Sequence, residues 1–302
     1  MQTELSKKAR PRASMLKRIA IDFAHSKVAM AGLVVLALLI LAALFAPLVT
    51  PQNPYDLNQL NVMNSHLPPG ARPDDQTFHF WLGSDDQGRD IYSGIVYGLR
   101  ISLMVGFVST GVALAIGTLF GLVAAYFGGW VDGLIMRIVD LQLSFPAMLI
   151  ALVLLAVLGT GLDKVIVALI AVQWAYYART VRSAALIEKN REYIEAARSL
   201  GLSSRRILLR HLLPNCVPPL IVVATMNIAT AISLEATLAF LGVGAPITEP
   251  SLGRLIANGY SYMLSGEYWI CFYPGVVLVL LIVAVNLVGD QLRDVLNPRL
   301  QK

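Results

Sequence analysis

The stretch RTVRSAALIEKNREYIEAARSLGLSSRRILLRHLLPN, residues 179–215, is dense in charge and sits between strongly apolar runs. Charged side chains and helix ends cannot lie unsatisfied in hydrocarbon. A segment of this kind must therefore emerge into water, where a soluble partner can reach it. Its neighbours decide the fold. Apolar runs near the ~20 residues needed to cross a bilayer cover about 28–49, 101–127, 134–158, 165–178, 217–243 and 269–288. They predict an all-α polytopic membrane protein with six transmembrane helices, the fourth being the shortest. A chain that is 56% hydrophobic and 14% charged is poorly described as a soluble domain.

Lys and Arg accumulate on the cytoplasmic side of a membrane protein, and here they are unevenly shared. One side holds Lys7, Lys8, Arg10, Arg12, Lys17, Arg18 and Lys27, then Arg137, then the basic residues of 179–210, then Arg293, Arg299 and Lys302. The other side holds mostly acids, among them Asp56, Asp85, Asp86, Asp90, Asp163, Glu249 and Glu267. The asymmetry predicts cytoplasmic N and C termini. It organises the chain as a cytoplasmic N-terminal segment 1–27, a first transmembrane helix 28–49 and a periplasmic loop 50–99. A core transmembrane domain 100–290 follows, containing the cytoplasmic insert 186–215, and then a cytoplasmic tail 291–302. The first apolar run exceeds a usual signal-peptide core, and its removal would leave five spans with the basic insert still needing a cytoplasmic side.

Most searches for chemistry return nothing, and this narrows the function. No Gly-x-x-x-x-Gly-Lys-Ser/Thr loop is present, so ATP hydrolysis by this chain is not expected. His25, His66, His79 and His211 lack ligand spacing, no Gly-x-Ser-x-Gly elbow occurs, and Cys216 and Cys271 stand far apart. A non-catalytic chain with no metal and no cofactor of its own is expected. The net charge of +5 reflects the sidedness; basic residues are not interleaved with aromatic ones as a nucleic-acid surface requires.

Within the insert, residues 187–200 suit a short helix with Ile187, Ile194, Ala197 and Leu200 on one face and Glu195 among the charged residues on the others. Gly201 permits the left-handed geometry that ends helices. Ser203-Ser204 can cap a second helix over 205–213, and Pro214 marks a turn back toward the next span. Small Ala196 and Ala197 allow close approach of another protein, and Glu195 offers it an ionic contact.

Glu195-Ala196-Ala197, three residues, Gly201, nine residues, then His211-Leu212-Leu213-Pro214 resembles the EAA loop of ABC importer permeases. His-x-Leu-Pro-Asn, here 211–215, is similar to the variant found in the dipeptide, oligopeptide and nickel permeases. GSDDQGRD at 83–90, EATLAFLGVG at 235–244 and GDQLRDVLNPR at 289–299 resemble segments of the C-type subunit of that family. Ser84 stands where Thr is commoner and Asn297 where Asp is usual. The resemblance implies a type I ABC importer permease fold, with Glu195, Ala196, Ala197, Gly201, Leu213 and Pro214 in the coupling loop. It also implies a second homologous permease, two ATPase subunits carrying ATP and Mg, and a periplasmic substrate-binding protein. Its cargo would be di- or oligopeptides, with nickel chelates, glutathione or another small solute as alternatives.

Polar residues inside spans are costly and face protein or water. Arg137 and Asp140, three apart, are placed to pair, and Asn227 and Glu235 lie two turns apart. These four line a pathway or serve as packing bonds between helices. Gly117 and Gly121 fit close helix contact, and Pro146 fits a kink. Asp85, Asp86, Arg89 and Asp90 in the loop are either part of a docking face for the binding protein or simply solvated. An ion-coupled secondary transporter using Asp140 and Glu235 is the alternative from a different class.

Overall fold

The computed structural model describes residues 21–73, 78–244, 246, 249 and 251–296. Among them no strand occurs, only isolated antiparallel bridges of Ala71 with Phe80 and Ser84 with Asp90. The basic residues before 21 and the tail from 297, on which part of the orientation rests, lie outside the described residues.

Helix α1 (Lys27–Leu44) starts at Ser26, whose hydroxyl accepts the Ala29 N–H at 3.3 Å. It lies against the last helix, α9 (Trp269–Leu296), where a Cβ on Gly32 would stand 2.8 Å from Leu287 Cβ. After a loop comes α2 (Ile91–Phe127). It begins ten residues before the continuous apolar run, because Asp90 caps it by accepting the Ser93 N–H at 2.8 Å. At 37 residues it is ~55 Å long, well beyond a ~30 Å hydrocarbon core.

The third apolar run forms two helices, α3 (Gly129–Leu143) and α4 (Ala147–Leu158), bent by 93°. Pro146 is the cause, since it offers no N–H to the helix ladder and disfavours helix at Phe145. The expected kink is thus a full break. Helix α5 (Leu162–Lys189) is twice as long as its apolar run. It continues past residue 178 because Arg182 finds Asp132 of α3 at 2.5 and 2.6 Å, and Arg179 finds Asp140. Hydropathy cannot register charges whose partners come from another element.

Between residues 187 and 200 the chain forms the end of α5 and then a separate helix α6 (Glu192–Ser199), not one helix. Helix α7 then runs from Ser204 to Phe240, so Pro214 does not turn the chain back. In an α ladder its ring would strike the carbonyl of Arg210. The segment Leu208–Leu212 adopts a wider π turn, which shifts that register and lets the rod continue. A short helix α8 (Leu252–Tyr260) packs between α7 and α9.

Helices α2 and α5 are closely packed. A Cβ on Gly117 would lie 2.4 Å from the Trp174 carbonyl oxygen, and one on Gly121 would lie 2.5 Å from that of Ala178. Only glycine allows this approach. Helices α1, α2, α7 and α9 are long and apolar enough to cross a membrane, and the bent α3–α4 pair adds a fifth if taken as one span. Exposed side chains such as Leu38, Leu119, Val153, Val157 and Val279 suit lipid rather than water.

Candidate coupling surface and polar interior

Helix α6 has eight residues, too few to be stable alone in water. Ile194 and Ala197, three apart, share one face and are buried with Val181, Ala185, Ile207 and Leu212. Glu195 and Ala196 are exposed on the opposite side. Helical periodicity puts Ile194 and Ala197 on the apolar face and Glu195 off it, as found; the expectation that Ala197 also admits a partner is not met, because it packs inward. Ile187 and Leu200, expected on the apolar face, are exposed: the break at Asn190 takes Ile187 out of register, and Leu200 lies at the C-cap.

Gly201 ends α6 with φ +70°. The Leu202 N–H reaches the Ala197 carbonyl at 3.2 Å and the Gly201 N–H reaches Arg198 at 2.9 Å, the two bonds of a Schellman cap. Leu202 then packs into the cluster beneath α6. Leu213 is half-buried and Pro214 exposed at the foot of the long α segment of α7.

Contacts that the sequence did not announce fix α6 from both sides. The Lys189 ammonium donates to the Ala125 and Tyr126 carbonyls at 2.9 and 2.8 Å, satisfying carbonyls at the end of α2. The Tyr126 hydroxyl donates to Ser204 Oγ at 3.0 Å, and the Arg198 guanidinium lies 5.6 Å from the centre of the Tyr126 ring. On the other side Tyr193 donates to Glu188 Oε2 at 2.8 Å and accepts from Asn215 Nδ2 at 3.0 Å. Desolvation and the neighbouring Glu188 carboxylate push the Tyr193 hydroxyl up to about 12, keeping it a donor. One end of α2 is thereby tied to both flanks of α6.

The other end of α2 rises from the 50–90 loop. Asp85, Arg89 and Asp90 are buried and Asp86 half-buried, so they do not form an exposed acidic face. Their work is internal. Asp85 Oδ1 accepts the Gln87 and Arg89 N–H groups, both at 2.9 Å. Asp90 caps α2, and its own N–H donates to Gln52 Oε1 at 2.7 Å. Burial pushes the Asp85 carboxyl up to about 6 against the pull of those N–H donors. Ser84 Oγ bridges the Asn64 carbonyl and the Leu67 N–H, and its carbonyl accepts the Trp269 indole N–H. Loop, α2 and α9 are joined at this point.

Among the polar residues inside helices, Arg137 does not pair with Asp140; Asp140 is held by Arg179 of α5, and Arg137 is exposed. The i, i+3 spacing permits a pair, but the α5 guanidinium reaches the carboxylate first. Glu235 is buried and accepts the Ser102 hydroxyl at 3.1 Å, a packing bond between α7 and α2. Asn227 differs: it borders a cleft of about 480 Å³ between α5, α7 and α9, together with Gln173, Tyr176, Thr230, Ser233, Thr237 and Asn286. The repeat 227, 230, 233 and 237 puts polar groups on one face of α7. That spacing was the available signal for the cleft.

Residues 117–302 match the family described as the binding-protein-dependent transport system inner membrane component, and residues 14–69 match the N-terminal TM domain of oligopeptide transport permease C. The dipeptide transport system permease protein DppC of Alkalihalophilus pseudofirmus is 38% identical over 276 residues, covering 91% of this chain and 87% of that protein. The oligopeptide transport system permease protein OppC of Bacillus subtilis is 35% identical over 299 residues, covering 99% of this chain and 93% of that protein. Inward-facing structures of the MetNI methionine ABC transporter include a chain superposing with a TM-score of 0.54 at 25% identity, covering 68% of this chain and 96% of that one. The chain therefore belongs to the binding-protein-dependent transport system inner membrane components, as a multi-pass permease of the type I ABC importer fold.

Proposed function

We propose that this chain is the C-type permease of an importer that carries di- or oligopeptides into the cytoplasm, powered by separate ATPase subunits that hold ATP and Mg. Nickel chelates, glutathione or another small solute are the alternative cargoes on the same scaffold. Helix α6 faces the cytoplasm in this reading, both termini lie on the same side, and α5 is the fourth of six spans. The partners are a second homologous permease, two ATPases, a periplasmic binding protein and the surrounding lipid.

The observation that carries this reading is the construction of α6: docked through Ile194 and Ala197, and exposing Glu195 and Ala196 to a partner. Helix α2 makes the coupling mechanical. It runs unbroken from the Asp90 cap to the carbonyls held by Lys189, with Gly117 and Gly121 seating it on α5. A displacement of α6 driven by ATPase closure then acts on the whole α2–α5 unit and biases a two-state equilibrium between inward and outward access.

The test is uptake by proteoliposomes holding the assembled transporter. Import that needs ATP, is blocked by vanadate and is lost in Glu195→Lys or Gly201→Pro while the ATPases still assemble supports the reading. Import abolished by an uncoupler but indifferent to ATP overturns it in favour of an ion-coupled carrier.

A further inference from the structure

The cleft between α5, α7 and α9 has a lining of one chemical kind. Among the described residues that border it, none is Asp, Glu, Lys, Arg or His; its polar groups are carboxamides and hydroxyls. A volume of about 480 Å³ lies within the ~300–1,000 Å³ usual for small-molecule sites.

Gln173 is the informative residue. It is 3% exposed, and its Oε1 accepts the Thr110 hydroxyl at 3.2 Å, which fixes the carboxamide. Gln173 lines the cleft, and its Nε2, almost wholly covered by its neighbours in this conformation, has no protein acceptor. A buried amide donor is rarely left unmatched, because the group loses water and gains nothing in return. Across the cleft, the Thr230 and Thr237 hydroxyl protons are already given to the Met226 and Ser233 carbonyls of their own helix, at 3.1 and 2.8 Å. Those two oxygens retain lone pairs for an incoming N–H.

A donor on one wall and acceptors on the other complement a peptide group, which offers a carbonyl oxygen and an N–H on opposite edges. We infer that this cleft holds a backbone peptide group of the transported molecule, with Gln173 Nε2 donating to its carbonyl and Thr230 or Thr237 accepting its N–H. The inference rests on the peptide reading of function and deepens it. An uncharged site of this kind recognises what all peptides share and is indifferent to side-chain charge.

The test uses the complete transporter with its ATPases and binding protein in proteoliposomes. The probes are trialanine and its analogue with an ester in place of the central peptide group. Gln173→Leu should lower trialanine kcat/KM about three- to tenfold, the scale of one lost hydrogen bond. ATP hydrolysis stimulated by the loaded binding protein should stay within about twofold. Gln173→Met, which preserves side-chain length, gives the same readout if the leucine variant does not assemble. In Thr230→Val/Thr237→Val the preference of the wild type for the peptide over the ester should disappear. Unchanged trialanine kinetics in the Gln173 variants, an unchanged peptide-to-ester ratio in the threonine variant, or a parallel fall in ATP hydrolysis would overturn the site and make Gln173 a packing residue. If the wild type imports neither trialanine nor any other peptide, the peptide reading itself fails and the site falls with it.

Discussion

Replacing Ile194 by Ala should release α6 from the membrane domain without altering the surface it offers a partner. Ile194 is fully buried, and removing its side chain beyond Cβ leaves a cavity among Val181, Ala185, Ile207 and Leu212. Substitutions of this size in a packed core cost ~2–5 kcal/mol. An eight-residue helix has little intrinsic stability to absorb that loss. At about 1.4 kcal/mol per tenfold, local opening should become roughly 30- to 3,000-fold more frequent. Hydrogen exchange of the amides of 192–202 in the detergent-solubilised complex reads this directly. Protection there should fall by that factor while α2 and α9 keep theirs. Glu195→Ala supplies the contrast: its side chain is exposed, so protection of α6 should stay unchanged while coupling to ATP hydrolysis is weakened. Undiminished protection in Ile194→Ala would refute the docking of α6 through this residue. A loss of protection in Glu195→Ala would refute the division between a docking face and a contact face.

Further substitutions probe other joints. Gly201→Ala meets open space but must adopt φ +70°, at ~1–2 kcal/mol, so exchange at the end of α6 should accelerate about five- to thirtyfold without global unfolding. Gly117→Leu drives a side chain into the Trp174 carbonyl and should lower the midpoint of thermal unfolding by several degrees, whereas Gly111→Leu, with nothing within 4 Å, should leave it unchanged. The 50–90 loop should be more stable at pH 5 than at pH 7.5. Asp85 has its carboxyl raised from 3.8 to about 6 by burial, so the folded form holds the proton more tightly than the unfolded one. That contribution, up to about 3 kcal/mol, is complete below pH ~4 and lost as pH rises through ~6. Exchange protection at 84–91, corrected for intrinsic rates, should follow this profile, and Asp85→Asn should reduce it to the part left by Asp90, whose carboxyl burial also raises.

Features governed by nearby residues were legible in the sequence. The register of Ile194 and Ala197 against Glu195 follows from helical spacing, and Gly201 announces its positive φ by being glycine after a helix. The close approach at Gly117 and Gly121 was readable for the same reason. What escaped depends on residues distant in the chain. Hydropathy shortens α5 because Arg179 and Arg182 look unaffordable until Asp140 and Asp132 are brought beside them. Asp85 to Asp90 look like a solvated acidic patch until the loop folds over them, turning carboxylates into turn and cap acceptors. Pro214 reads as a stop unless the π turn before it is known. The Lys189 clamp joins residues more than sixty apart, and nothing local to either marks it.

The central claim is that the exposed face of α6 meets an ATPase subunit. Ala196→Cys, labelled with a short photo-crosslinker in the assembled transporter, tests it most directly. The predicted result is a covalent adduct with an ATPase subunit that changes in yield between nucleotide-free and ATP-bound complexes, with none from a probe at Ala185, which is fully buried. Labelling of lipid alone, or an adduct with some other chain and none with an ATPase, would contradict the account.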